Sequence, residues 1–159
     1  MPLGLIATIV TSHGGRARYD RHIARKDAKL GLVRSVPLFS HCAKRELEAI
    51  ASTADLIEVP AGMELVRQGG HSNELVIIAE GAVDVTKDGA PIRSLGSGDF
   101  FGEVALVTGG TRTASVTTTA PSTLLVLTDR AFWPLAEKMP SIQTSVLKTL
   151  ADRLGPETL

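Results

Sequence analysis

The residues from Phe101 to Val116 read Phe-Gly-Glu-Val-Ala-Leu-Val-Thr-Gly-Gly-Thr-Arg-Thr-Ala-Ser-Val, and their types and spacing are those of an anion site. Gly102 lets the backbone approach a ligand with no Cβ in the way. Glu103 to Val107 is long enough for about one helical turn, whose free N–H groups would face an anion. Ten positions after Gly102, Arg112 supplies a planar cationic fork that can hold two phosphate oxygens at once. Glu103 is an acceptor, so it suits a hydroxyl donor better than a phosphate. The chemistry asked for is one phosphate with a sugar hydroxyl beside it. The plainer alternative is a surface Arg112 paired with Glu103, with Gly102 a simple turn glycine.

Such a stretch needs a rigid frame, and the pattern on both sides supplies one. Short runs punctuated by turn residues predict strands at Leu56–Val59, Met63–Gln68, Leu75–Ala79, Ala82–Thr86, Ile92–Leu95, Ala114–Thr119 and Thr123–Leu127. Pro60-Ala61-Gly62, Gly69-Gly70, Glu80-Gly81 and Pro121 mark the turns. Asp88-Gly89 is a hairpin signal. Turn-to-turn spacings of about eight to twelve residues argue a sandwich or jelly roll. Gly96-Ser97-Gly98-Asp99-Phe100-Phe101-Gly102 reads as a turn into the site. Its last interval is one residue too long for a dinucleotide loop, and no βαβ unit surrounds it.

Helices flank this frame. Val36-Pro37 stops any earlier helix. Ser40 is then the expected N-cap of a helix through about Thr53, with Leu47, Ile50 and Ala51 inward. Asp129 is the expected N-cap of a helix from Arg130 to about Lys138, with Pro134 in its first turns. Ser141 opens a second helix through about Arg153, whose Ile142, Val146, Leu150 and Leu154 make one apolar stripe.

The Phe-Gly-Glu-Val-Ala-Leu and Arg-Thr-Ala-Ser-Val runs, at this separation, resemble the phosphate-binding cassette of the cyclic-nucleotide-binding domains. That family includes cyclic-AMP-dependent kinase regulatory subunits, the catabolite activator protein and cyclic-nucleotide-gated channels. The resemblance extends from about Leu30 to Arg153, and Val36-Pro37-Leu38-Phe39 is similar to the family's lead-in. It implies a mainly β fold with flanking helices: a jelly-roll-like antiparallel β-roll with N-terminal helices and two C-terminal helices, hinge and lid. It divides the chain into a basic, partly helical extension (1–29), the binding domain (30–155) and a tail (156–159).

For the site, the resemblance implies that Arg112 and N–H groups near Ala105 and Ala114 take the exocyclic phosphate of cAMP or cGMP. Gly102 would meet the sugar edge, Glu103 the ribose 2′-OH, and Val104 lies within the cassette. Thr113 places a hydroxyl beside the phosphate and admits both purines. Leu150, Arg153 or Leu154 would cap the base from the lid. The ligand is the only small molecule implied, with no cofactor or metal. The chain ends at Leu159, without the further helices of a DNA reader. A free-standing, non-catalytic sensor that hands its change to a protein effector in trans is therefore expected, with room for a homodimer.

Composition bounds the rival classes. The 159 residues are 43% hydrophobic, enough for one domain with a real core. Formal net charge is zero, so nothing global draws the chain to nucleic acid or anionic lipid. Cys42 is the single cysteine, which rules out an internal disulfide and fits a reducing, cytoplasmic setting. It reads as a small half-buried thiol. Met1–Thr11 carries an apolar run too short to span a bilayer, and suits a docking strand or a remnant of a non-native start. His13, His22, His41 and His71 lack metal-site spacing. No nucleophile elbow, P-loop or kinase set is present. The live alternative is a nucleic-acid or acidic-surface module. Arg16 to Arg34 holds seven basic residues against two acidic, a local +5, on a helix-compatible Tyr19, Ile23, Leu30 spacing. The β-roll would then be a scaffold.

Overall fold

The computed structural model describes residues 26–71, 73–102 and 111–154. The expectations for Met1–Thr11, for Tyr19 and Ile23 and the basic residues before Lys26, and for the turn at Glu103–Val107 lie outside the described residues.

Helix α1 (Lys26–Ser35) leads through a 3₁₀ turn (Pro37–Phe39) into α2 (Lys44–Thr53). Eight strands follow among the described residues: β1 (Asp55–Val59), β2 (Glu64–Val66), β3 (Glu74–Glu80), β4 (Ala82–Lys87), β5 (Ala90–Gly96), β6 (Phe100–Phe101), β7 (Ser115–Thr118) and β8 (Ser122–Thr128). Helices α3 (Asp129–Lys138) and α4 (Pro140–Leu154) close the described chain. The strands make two four-stranded sheets, ordered β1-β8-β3-β6 and β2-β7-β4-β5. Every strand pair is antiparallel. This is a β-roll with helices on one outer face.

Burial explains why β3 reads as a continuous apolar run. Leu75, Val76, Ile77 and Ile78 are all fully buried. Successive side chains point to opposite faces of a strand. Leu75 and Ile77 join a cluster with Val33, Leu38, Phe39, Ile50, Phe132, Ile142 and Val146 of the helices. Val76 and Ile78 join Leu65, Val83, Val85, Val116 and Leu124 between the sheets. A sheet covered on both faces cannot show polar alternation. Each such side chain contributes on the order of 1.5–3 kcal/mol by leaving water. By contrast, β5 is an edge strand with Pro91 in it and a register shift opposite Val85, and its Ile92 is exposed. Proline and a bulge both discourage further strands from adding there.

Two expected helix caps move. Ser40 closes the 3₁₀ turn instead of opening a helix. The N-cap of α2 is Ala43, whose N–H donates to Glu46 Oε1 at 2.7 Å. A carboxylate three residues on thus satisfies the free donor without a hydroxyl at the cap. Likewise Thr128, not Asp129, caps α3, accepting from the Ala131 N–H on its Oγ1. Pro134 is accommodated within α3. Helix α4 begins at Pro140, where a missing N–H costs nothing.

Lys29, one of the seven basic residues of the 16–34 run, is buried, with Nζ donating to the Ala54 carbonyl at 2.6 Å. It ties α1 to the junction of α2 and β1. Burial lowers its pKa below the ordinary 10.5, partly opposed by Asp55. The folded chain therefore releases this proton more readily than the unfolded one does. Stability must rise with pH between the lowered pKa and the ordinary one, and level off above it. We expect Lys29→Met to remove that rise. In denaturant unfolding from pH 7 to about 10.5, wild type should gain on the variant as pH climbs, and parallel curves would refute the assignment.

Candidate anion site

The site is built at the end of β6. That strand pairs Phe101 with Val76 and Phe100 with Ile77 of β3. The approach to it is tightly bonded: the Gly98 N–H donates to the Ile78 carbonyl at 2.7 Å, and the Ile78 N–H to the Asp99 carbonyl at 2.8 Å. Asp99 Oδ2 also accepts the Gly96 N–H at 2.9 Å. The sequence signalled a turn here but not the two-residue strand that follows, because two aromatic residues show no period.

Gly102 comes next, at φ +99°, a conformation that glycine adopts at little cost. A Cβ built at this position would overlap the Glu74 carbonyl oxygen and lie 2.8 Å from Arg112 Nη1. The structure thus brings the two ends of the sequence motif together. Arg112 is 5% exposed, with Nη2 donating to the Glu74 carbonyl at 2.9 Å. Burying a guanidinium is costly unless its donors are used, so this placement is a commitment by the fold.

The backbone of Arg112 is held as firmly as its head group. Its N–H donates to the Gly70 carbonyl and its carbonyl accepts the Gly69 N–H, both at 2.8 Å. Thr111 bridges His71 beside them. Gly69, Gly70 and Glu74 act through main-chain atoms about 40 residues away in sequence. Nothing in their side chains announces this, and only Gly69-Gly70 stood out, as a turn.

The other expected site residues divide. Thr113 is exposed and Ala114 is half-buried, leaning on the inter-sheet cluster. Glu103, Val104 and Ala105 lie outside the described residues. Leu150 is buried in the helical cluster with Ile142 and Val146. The backbone of Arg153 and Leu154 continues α4, but their side chains are outside the described residues. A separate groove of 430 Å³ runs between the 3₁₀ turn, the Gly96–Phe100 segment and α4. Its charged residues are Arg93, Asp99 and Asp152, and neither Gly102 nor Arg112 lines it.

Cys42 is half-buried, with Sγ 3.9 Å from Met139 Sδ at the α3–α4 junction. Burial pushes its thiol pKa up, with the Glu46 charge adding to the effect, so it is poorly suited to nucleophilic work. Among the described residues no group of three His, Cys, Asp or Glu side chains could hold a metal ion, and no helix is long and apolar enough to cross a membrane.

Residues 56–139 match the family model described as the cyclic nucleotide-binding domain, and the chain belongs to that family. It is 36% identical over 124 residues to a cyclic nucleotide-gated potassium channel of Rhizobium etli, covering 78% of this chain and 35% of the channel. A Pycsar effector protein of Burkholderia cepacia is 35% identical over 106 residues, covering 66% of this chain and 35% of the effector. The chain spans about a third of the length of these relatives. Among solved structures, the regulatory domain of Toxoplasma gondii PKA, co-crystallised with cAMP, superposes with a TM-score of 0.74 at 24% identity. That match covers 84% of this chain and 52% of the other. The Thermus thermophilus catabolite activator protein gives 0.67 at 28% identity, covering 74% and 58%. The expected fold, a β-roll with flanking helices, is the observed one.

Proposed function

We propose that this chain binds a cyclic purine nucleotide, cAMP or cGMP, as a non-catalytic sensor, with residues 30–155 as the binding unit. The observation that carries the reading is the buried guanidinium of Arg112 packed closely against the backbone of Gly102. A positive, water-excluded fork beside bare backbone suits a compact anion whose charge is spread over two oxygens. The Rhizobium channel and the Toxoplasma regulatory domain are named for cyclic-nucleotide gating and for a bound cAMP, which points the same way.

In this reading Arg112 grips the exocyclic phosphate, assisted by N–H groups near Ala105 and Ala114, with Val104 within the same cassette. Glu103 accepts from the ribose 2′-OH, Gly102 meets the sugar edge, and Thr113 offers a hydroxyl beside the phosphate. Leu150 is packed among the helices. For it to cap a base, α4 must trade that packing for contact with the ligand. Arg153 and Leu154 extend the same helix and are alternative caps. The nucleotide biases α4 only by its difference in affinity for the two arrangements. A protein effector, a cytoplasmic setting and self-association complete the proposal.

Calorimetric titration with cAMP and cGMP side by side, with 5′-AMP as a control, tests it. Saturable binding of a cyclic nucleotide, with 5′-AMP much weaker, is expected. No heat and no thermal shift with either cyclic nucleotide would overturn the reading. Salt-sensitive binding of RNA or DNA in its place would transfer the function to the basic 16–34 segment.

A further inference from the structure

Arg112 is held at both ends, by a turn and by the strand after it, and that turn is itself latched from outside. Its backbone rests on Gly69 and Gly70 in the β2–β3 connection, and its head group on the carbonyl of Glu74, the first residue of β3. Gln68 stands immediately before the glycines. Its side-chain Nε2 donates to Asp88 Oδ1 at 2.8 Å, and its Oε1 accepts the Asp88 N–H at 2.8 Å. Its own backbone N–H donates to Ser115 Oγ at 2.9 Å. Asp88 forms the tip of the β4–β5 hairpin, at φ +54°. Thus the amide joins a hairpin tip to the turn, 20 residues away in sequence.

We infer that Gln68 is a positioning residue for the phosphate site, acting through the Gly69-Gly70 backbone on Arg112. The inference rests on the proposed nucleotide-binding function of that site. Two glycines in succession have the least backbone stiffness of any pair, so a turn built on them keeps its shape only if its flanks are fixed. The Glu74 end is fixed by β3, which is buried and paired on both sides. The other end follows a three-residue strand with an irregular register against β7. There the two-way amide clasp and the Ser115 hydroxyl supply what the short strand does not. Gln68 is half-buried and Asp88 exposed, so the clasp contributes modestly to global stability but acts directly on the register of the turn.

The clasp can be broken and remade by swapping chemistry between its partners. Gln68→Glu puts a carboxylate against the Asp88 carboxylate and removes the donor. Adding Asp88→Asn returns a donor from the other side, and asparagine tolerates a positive φ well. We expect Gln68→Glu to weaken cAMP binding by about 3- to 10-fold while melting shifts little. Hydrogen exchange at the Gly69 and Arg112 amides, measured without ligand, should accelerate. Asp88→Asn alone should stay near wild type, and the double variant should recover most of both signals. If wild type binds and Gln68→Glu binds equally well, or if the double variant fails to recover, the inference is overturned. Should wild type bind no cyclic nucleotide, the functional reading fails separately, and unchanged exchange at Arg112 would still refute the latch.

Discussion

Arg112→Ala is expected to lower the affinity for cAMP by roughly 30-fold to several thousand-fold, corresponding to about 2–5 kcal/mol. The size follows from where the charge sits. Arg112 is 5% exposed, so its attraction for a phosphate is screened far less than that of a surface arginine. Arg112→Lys should restore only part of the loss, because an ammonium is a point charge and cannot hold two oxygens in one plane. It would also forfeit the fixed geometry by which Nη2 rests on the Glu74 carbonyl. Melting must be followed in parallel, since the alanine variant also leaves a gap beside β3. Normal binding by Arg112→Ala would dismiss the site outright, whatever the melting temperature.

Gly102→Ala should be nearly as damaging, for reasons that can be separated. Alanine at φ +99° is strained by about 1–2 kcal/mol. Its methyl would also collide with the Glu74 carbonyl and sit 2.8 Å from Arg112 Nη1, tighter than such atoms approach. Gly62, at φ +83°, has nothing within 4 Å of the corresponding position. Gly62→Ala therefore carries the backbone strain alone. Both variants should melt earlier, but only Gly102→Ala should displace the guanidinium and lose at least about tenfold in nucleotide affinity. Equal binding by the two would mean that Gly102 is only a turn glycine.

Much of this was legible before the fold, and the exceptions are instructive. The strands were visible because Gly, Pro and the Asp88-Gly89 pair interrupt β-branched runs, and local steric rules govern such interruptions. The Asp88-Gly89 turn indeed has both residues at positive φ, as a tight hairpin requires. Gly102 and Arg112 could be paired from sequence by their spacing. Their actual contact depends on β3, whose Glu74 carbonyl carries no sequence mark at all. The caps failed for a related reason. Ser40 looked like a cap by type, but the 3₁₀ turn used those residues first, and Glu46 supplied the acceptor instead. The burial of Lys29 was not legible because its charge hides a four-carbon stem that can reach the Ala54 carbonyl from within the helical layer. Composition records the charge and says nothing of reach.

The two phenylalanines of β6 carry one more implication. Phe100 is wedged among the helices, while Phe101 is wedged between the sheets. They are consecutive, and Gly102 follows at once. Under the proposed function, a pull on that glycine by a bound phosphate would be felt by both rings, since they share one two-residue strand. Phe101 packs between two paired sheets and Phe100 against the helical layer, so under the proposed function the helices are the side through which a change at the pocket would pass.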